Sequence, residues 1–107
     1  MSEMEMQVMQ IIGAAGESKA KAFQALKKVK ERDYKGAREL MEEARDIDLE
    51  AHNAQTKLIQ AELSGEAESK PVVNLLMVHA QDHYMSSQLS RDLIEVLIEV
   101  FESREEK

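Results

Sequence analysis

The residue types best suited to chemistry lie in one short segment, His79-Ala80-Gln81-Asp82-His83. In a helix, His79 and Asp82 are three residues apart and His79 and His83 four, so these side chains lie on adjacent sides of one helix. His79, Asp82 and Ser86 also continue an apolar stripe at heptad spacing, where a purely structural seam would carry Leu or Val. A buried carboxylate is costly unless it is paired, protonated or bound to a metal. This conflict with the apolar pattern marks the segment as the candidate site.

Three interpretations of the segment remain open. His79 and His83 have metal-ligand spacing, but zinc peptidases place a glutamate directly after the first histidine, and here Ala80 stands there. The neutral imidazole of His79 could instead attack a phosphoryl group if its other ring nitrogen were held by an acceptor. Because no nucleotide-binding glycine loop occurs, the phosphoryl donor would be another protein. The third interpretation is a non-catalytic helical oligomeric adaptor, in which the layer of His79 and Asp82 only sets register.

Composition limits the domain organisation, the partners and the location in which this chemistry could occur. A chain of 107 residues is expected to form one domain, residues 1–107, and it has no cysteine for a disulfide or a thiolate site. The net charge of -7 argues against a nucleic-acid partner, which needs clustered Lys and Arg. No apolar run approaches the roughly 18–20 residues of a membrane span. The acidic N-terminus does not resemble a signal peptide, so we expect a cytoplasmic protein without membrane insertion.

The elements that must position the site are long helices. Helix formers dominate and no period-2 stretch reads as a strand, so the predicted class is all-α. Asp33 is a plausible N-cap, and Gly65 suits the end of a helix. The predicted helices are near Glu3–Lys30, Tyr34–Ser64 and Pro71–Glu105, with Ser69 or Lys70 preceding the third and Pro71 in its first turn. Short connections make neighbours antiparallel, which predicts a three-helix bundle of long helices.

The third helix carries two apolar faces, which is more than two other helices can cover. One face, called here the α3 stripe, comprises Val72, Leu75, His79, Asp82, Ser86, Leu89, Leu93, Val96 and Val100. The second face comprises Val73, Leu76, Met77, Ala80, Ile94, Ile98 and Phe101. We therefore expect a homo-oligomer with the third helix at its centre, the alternative being one broad face within a monomeric bundle.

Counting residues from the two turns predicts which polar groups share a level with the site. His79 should lie beside Thr56, and Asp82 beside Asn53 or His52. The expected slab contains Gly13, Gly16, His52, Asn53, Gln55, Thr56, His79 and Asp82. Glycine within a helix costs about 1 kcal/mol relative to alanine, so the two glycines suggest a close backbone approach.

Three strings of residues together resemble a known family. They are Val78-His79-Ala80-Gln81-Asp82-His83 followed by Met85 and Leu89, then Glu50-Ala51-His52 with Gln55-Thr56-Lys57-Leu58-Ile59, and Gly16 with Ala25-Leu26. This combination resembles the lactose/cellobiose-type enzyme IIA of the bacterial phosphoenolpyruvate-dependent sugar phosphotransferase system, over nearly the whole chain. Tyr84 departs from the pattern, because an aliphatic residue is more usual there.

The resemblance implies a trimer of three-helix subunits that forms a nine-helix bundle. It implies that His79 accepts a phosphoryl group from the histidine-containing phosphocarrier protein and donates it to a cysteine of enzyme IIB. The transported sugar would be a β-disaccharide of the cellobiose, chitobiose or lactose class, and the chain would have no small-molecule turnover of its own. Asp82 of each subunit would meet on the threefold axis around a divalent cation such as Mg²⁺, while Gln81 and His83 would support the phosphorylation pocket.

Overall fold

Three long helices account for nearly all of the chain. The computed structural model describes residues 2–68 and 70–105, which form α1 (Glu3–Lys30), α2 (Tyr34–Leu63) and α3 (Leu75–Glu105). No strand occurs among the described residues, and the all-α prediction is confirmed. Helices of 28, 30 and 31 residues give a bundle of 59 × 23 × 20 Å. None of the three helices is both long enough and apolar enough to cross a membrane.

Capping interactions explain where α1 and α2 begin and end. A reciprocal pair of 3.1 Å hydrogen bonds between Ser2 and Glu5 opens α1 as a capping box. The backbone N–H groups of Arg32 and Asp33 bond back to the last-turn carbonyls of α1, which is the Schellman arrangement. Asp33 then caps α2 by accepting a 2.9 Å hydrogen bond from the Gly36 amide, so this predicted N-cap is confirmed.

The start of α3 differs from the prediction. Pro71 lies outside the helix, which begins at Leu75 because Asn74 provides the cap. The Asn74 side-chain oxygen accepts from the Met77 amide at 2.9 Å. The β-branched pair Val72 and Val73 between the proline and the cap favours extended backbone over helix. Ser69, expected to precede the helix, lies outside the described residues. At the other end of the connection, Gly65 adopts φ +77°, as expected for a glycine beyond a helix end.

Neighbouring helices are antiparallel, and α2 meets α3 mainly through polar side chains. Arg38 near the start of α2 pairs with Glu102 near the end of α3, whereas Gln55 late in α2 pairs with Gln81 early in α3. Apolar packing instead joins α1 to both other helices. The predicted antiparallel three-helix bundle is confirmed, with α1 as the helix on which the other two pack.

A polar layer divides the hydrophobic core into two clusters. The cluster beside the candidate site contains Val8, Ile11, Ala14, Ala51, Ala54, Leu58, Met77, Ala80 and Tyr84. The other contains Ala22, Ala25, Ala37, Met41, Ala44, Ile94 and Ile98. Along each helix the two clusters are separated by a buried polar residue, namely Ser18, Asp48 or Ser87. Asp48 forms an ion pair with Arg91 at 2.7 Å, so the layer holds a nearly buried charge pair.

The α3 stripe lies on the outside of the single chain. Its six apolar members expose between 41% and 85% of their surface, with Val100 and Leu75 at the two extremes. The second face is divided: Met77, Ala80, Ile94 and Ile98 are buried, whereas Val73, Leu76 and Phe101 are exposed. The other two helices therefore leave the α3 stripe uncovered.

Candidate functional site

His79 is an exposed imidazole one turn inside the N-terminal end of α3. Its ring lies edge-to-face against the His83 ring, with centroids 4.4 Å apart and an interplanar angle of 71°. Within residues 2–68 and 70–105, no hydrogen bond reaches either nitrogen of His79. The described residues thus do not supply the acceptor expected for a nucleophilic His79. An exposed imidazole on a convex helix surface is accessible to another protein.

Asp82 is exposed on the α3 stripe, one turn beyond His79. Among the described residues there is no group of three or more His, Cys, Asp or Glu side chains that could hold a metal ion. The described part of one chain therefore does not build a metal site around Asp82. A hard cation such as Mg²⁺ takes several oxygen ligands, so Asp82 fits a cation site only where further oxygen ligands complete it.

Gln81 points away from His79, toward α2. Its side-chain amide forms a reciprocal pair with that of Gln55, each nitrogen donating to the other oxygen at 2.7 Å. Residues two apart lie on different sides of a helix, which is why Gln81 and His79 do not face each other within one chain. The supporting role of Gln81 at a phosphorylation pocket stays a prediction, while within the described chain its amide joins α3 to α2.

His52 and Tyr84 form a second polar connection between α2 and α3. The Tyr84 hydroxyl lies 3.1 Å from Nδ1 of His52 and accepts a hydrogen bond from the Gln88 amide nitrogen at 3.0 Å. Burial raises the pKa of the Tyr84 hydroxyl, and the negative charge of Asp48 raises it further. The phenol accordingly stays protonated near neutral pH, and it remains a hydrogen-bond donor.

The predicted register between α2 and α3 is confirmed to within one helical turn. Gln55 and Gln81 are in contact, as are His52 and Tyr84, close to the expected levels. The structure does not join His79 or Asp82 to Asn53 or Thr56 by any hydrogen bond in the described chain. The polar groups lie at similar levels, as expected, but they form two separate sets. One set joins α2 to α3, and the other lies on the exposed α3 stripe.

The expectation about the two glycines is wrong within the single chain. A Cβ atom added at Gly13 or Gly16 would meet no heavy atom within 4 Å, so no backbone approaches either residue closely. Both glycines lie on a part of α1 that is exposed or half-buried, away from the core. The sequence pattern could locate the glycines on a helix, but it could not tell which side of that helix faces the bundle.

Two polar groupings were missed from the sequence. Tyr84 was noted only as a departure from the family pattern, yet its hydroxyl joins His52 and Gln88. The buried pair of Asp48 and Arg91 was not predicted at all. A signal for that pair was available, because Asp48 continues the core spacing of Met41, Ala44 and Ala51 on α2.

The chain is similar to proteins of one family throughout its length. The family model described as PTS system, Lactose/Cellobiose specific IIA subunit matches residues 6–102. The N,N′-diacetylchitobiose-specific EIIA component of Escherichia coli strain K12 is 44% identical over 100 residues, which cover 94% of this chain and 84% of that protein. The lichenan-specific enzyme IIA component of Bacillus subtilis strain 168 is 39% identical over 100 residues, covering 94% and 88%.

Solved structures show the same relationship in three dimensions. The crystal structure of the cellobiose-specific enzyme IIA from Bacillus anthracis superposes with a TM-score of 0.91 at 33% identity, covering all of this chain and 95% of that one. The Escherichia coli IIA(chitobiose) solved in complex with HPr superposes with a TM-score of 0.79 at 42% identity, covering 98% and 99%. The chain therefore belongs to the lactose/cellobiose-specific IIA subunit family of the sugar phosphotransferase system.

Proposed function

We propose that the protein carries a phosphoryl group on His79 between two partner proteins during sugar uptake. One nitrogen of the His79 ring attacks the phosphorus atom of the phosphohistidine on the phosphocarrier protein HPr, and a new N–P bond forms as the donor's N–P bond breaks. A cysteine thiolate of enzyme IIB then attacks the same phosphorus and releases His79. The observation that carries the proposal is the exposure of His79 within the family motif, because two proteins must reach the ring in turn.

Phosphoryl transfer between proteins requires accurate positioning of the reacting groups more than it requires a deep pocket. Phosphoryl transfer between two imidazoles depends on in-line placement of the reacting atoms and on stabilisation of the charge on phosphorus. His83 can orient the His79 ring through their edge-to-face contact. The net charge of -7 favours partners with a basic face, since complementary charge speeds association. We also place the carrier in the cytoplasm and its sugar in the cellobiose, chitobiose or lactose class, as its relatives' names suggest.

The working form that we propose is a homotrimer with α3 of each subunit at the centre. The exposed apolar members of the α3 stripe support this assembly, because they would otherwise remain in water. Asp82 from the three subunits would then meet at the axis, where three carboxylates need a cation or protonation. Asp82 is the residue that would hold a divalent cation such as Mg²⁺, which would neutralise their charge.

Transfer from the natural donor tests the assignment of His79. The wild-type protein, incubated with phosphoenolpyruvate, enzyme I and HPr, should gain one acid-labile phosphate per chain. His79→Ala should gain none, whereas His52→Ala should still be phosphorylated because His52 lies on another helix. If His79→Ala still acquires acid-labile phosphate from HPr, the assignment is wrong and the non-catalytic adaptor becomes the better description.

A further inference from the structure

A second exposed histidine, His52, lies on α2 close to the level of His79. An imidazole accepts a phosphoryl group only through a nitrogen that has a free lone pair and can be reached. The hydrogen bonds around His52 decide whether it has such a nitrogen. The consequence for specificity rests on the proposed phosphocarrier function, whereas the reactivity of His52 itself can be measured without any partner protein.

The direction of these hydrogen bonds follows from which groups can donate. The Gln88 amide nitrogen, 3.0 Å from the Tyr84 hydroxyl, can only donate, so the hydroxyl oxygen accepts this bond. The hydroxyl proton is still available for donation. Among the described residues, the other hydrogen-bonding group in contact with this hydroxyl is Nδ1 of His52, at 3.1 Å. If Nδ1–H also donated to this oxygen, the hydroxyl proton of the buried Tyr84 would have no acceptor among the described residues, so the arrangement that satisfies both groups has Tyr84 donating to Nδ1. Its pKa is raised, chiefly by burial, so the proton is retained at neutral and mildly alkaline pH.

A neutral imidazole that accepts at Nδ1 carries its own proton on Nε2. Nε2 then has no free lone pair, and the lone pair of Nδ1 is occupied by the Tyr84 hydroxyl. We propose that Tyr84 masks His52 by holding it in this tautomer, and that Tyr84 thereby keeps phosphorylation off α2 and confines it to the histidines of α3. Tyr84 is a specificity-determining residue in this sense, although it does not contact the reacting atoms.

Charges around Tyr84 do not disturb this arrangement. The nearest charged groups that act on the hydroxyl are Asp48 on α2 and Arg91 on α3, which neutralise each other in their 2.7 Å ion pair. Gln88 stands one turn after Tyr84 on α3 and supplies a neutral donor. A carboxylate at position 88 would instead accept the Tyr84 proton, and the Tyr84 oxygen would then accept from Nδ1–H of His52. That reversal would leave the lone pair of Nε2 facing solvent.

Chemical phosphorylation of the full-length chain tests the mask directly. His79→Ala/His83→Ala leaves His52 as the one histidine, since the sequence contains three. Phosphoramidate at mildly alkaline pH is the probe. An imidazole nitrogen attacks its phosphorus, the N–P bond of phosphoramidate breaks, ammonia leaves with a proton, and the other ring nitrogen loses its proton to water. Phosphohistidine is then measured by ³¹P NMR and mass spectrometry.

In this background His52 should react slowly, and adding Tyr84→Phe or Gln88→Glu should raise its rate severalfold. Tyr34→Phe is the matched control, because Tyr34 packs against the other core cluster and should leave the rate unchanged. ¹⁵N NMR of the parent should show the proton of His52 on Nε2, moving to Nδ1 in Gln88→Glu. A parent protonated on Nδ1, or rates unchanged in both variants, would overturn the mask. Neither result depends on HPr, so failure here is distinct from failure of the His79 assignment.

Discussion

At the scale of single residues, the environment of each imidazole matters more than its exposure. His52 and His79 are both exposed, but Nδ1 of His52 is held by Tyr84 while the described chain offers no hydrogen bond to His79. The described chain thus hydrogen-bonds the ring of His52 but not that of His79. The proposed masking of His52 would give the two histidines different reactivity.

The ion pair of Asp48 and Arg91 is the residue-scale feature with the largest expected effect on stability. Arg91→Met would leave the Asp48 carboxylate almost buried without its partner, since its side chain is only 8% exposed. Removing one partner of a buried pair typically costs about 3–5 kcal/mol, and we expect a loss of that order in the free energy of unfolding. Urea unfolding followed by circular dichroism measures it.

The control for this prediction removes both charges. Asp48→Leu/Arg91→Met should recover most of the lost stability, because well-packed apolar residues often replace a buried pair without loss. A single variant Arg91→Met that unfolds at the same urea concentration as the wild type would show that water solvates Asp48.

At the scale of elements, the backbone conformation at the end of α1 gives a prediction about stability. Arg32 ends α1 at φ 60°, a left-handed conformation that favours glycine, and it forms a 3.3 Å ion pair with Glu105 on the surface. Arg32→Gly should raise the free energy of unfolding by about 1 kcal/mol, because the left-handed conformation costs a side-chain-bearing residue roughly that much. The lost ion pair is well exposed and contributes little. Urea unfolding midpoints report the change.

Gly65 provides the reverse comparison for the same effect. At φ +77° with no heavy atom within 4 Å of an added Cβ, Gly65→Ala should lower stability through backbone conformation alone. If Arg32→Gly lowered stability instead, the surface ion pair with Glu105 would outweigh the backbone term.

The junction between α2 and α3 is the other element-scale feature. The pairs Gln55–Gln81 and His52–Tyr84 lie one turn apart behind the segment that carries His79. The adjacent core holds Met77, Ala80 and Tyr84 of α3 against the other helices. The directional hydrogen bonds of the junction add to this packing in fixing the rotation of α3, and so the orientation of the candidate site.

At the scale of the whole molecule, the uncovered α3 stripe predicts assembly through that helix. Leu93→Lys places a charge on the stripe at a residue that is 55% exposed in the single chain, so it should yield folded monomers where the wild type is oligomeric. Sedimentation velocity measures the mass, and circular dichroism measures the retained helix.

Leu49→Lys is the matched control, because Leu49 is 57% exposed but lies on α2. It should leave the assembly intact. In the same series, Asp82→Leu should remain oligomeric and should no longer gain stability from Mg²⁺, since it removes the carboxylates that we propose to meet at a threefold axis. An oligomer that survives Leu93→Lys would show that the copies associate through another surface.

Much of this protein could be predicted from local sequence patterns. The helical class, the bounds of α1 and the Asp33 cap depend on interactions within about four residues along the chain. The register that brings α2 beside α3 followed from turn positions and constant helical rise. These predictions were confirmed because helix geometry repeats regularly from one turn to the next.

Only the tertiary structure showed which side of each helix faces which neighbour. It directed Gln81 toward Gln55, joined Tyr84 to His52, left Gly13 and Gly16 without a close neighbour, and started α3 at Asn74's cap instead of at Pro71. The physical reason is that helix rotation depends on the packing of all three helices together. The sequence by itself identified His79 as a residue that could carry chemistry. Only the fold determined that Tyr84 contacts the ring of His52, while no hydrogen bond from the described residues reaches His79.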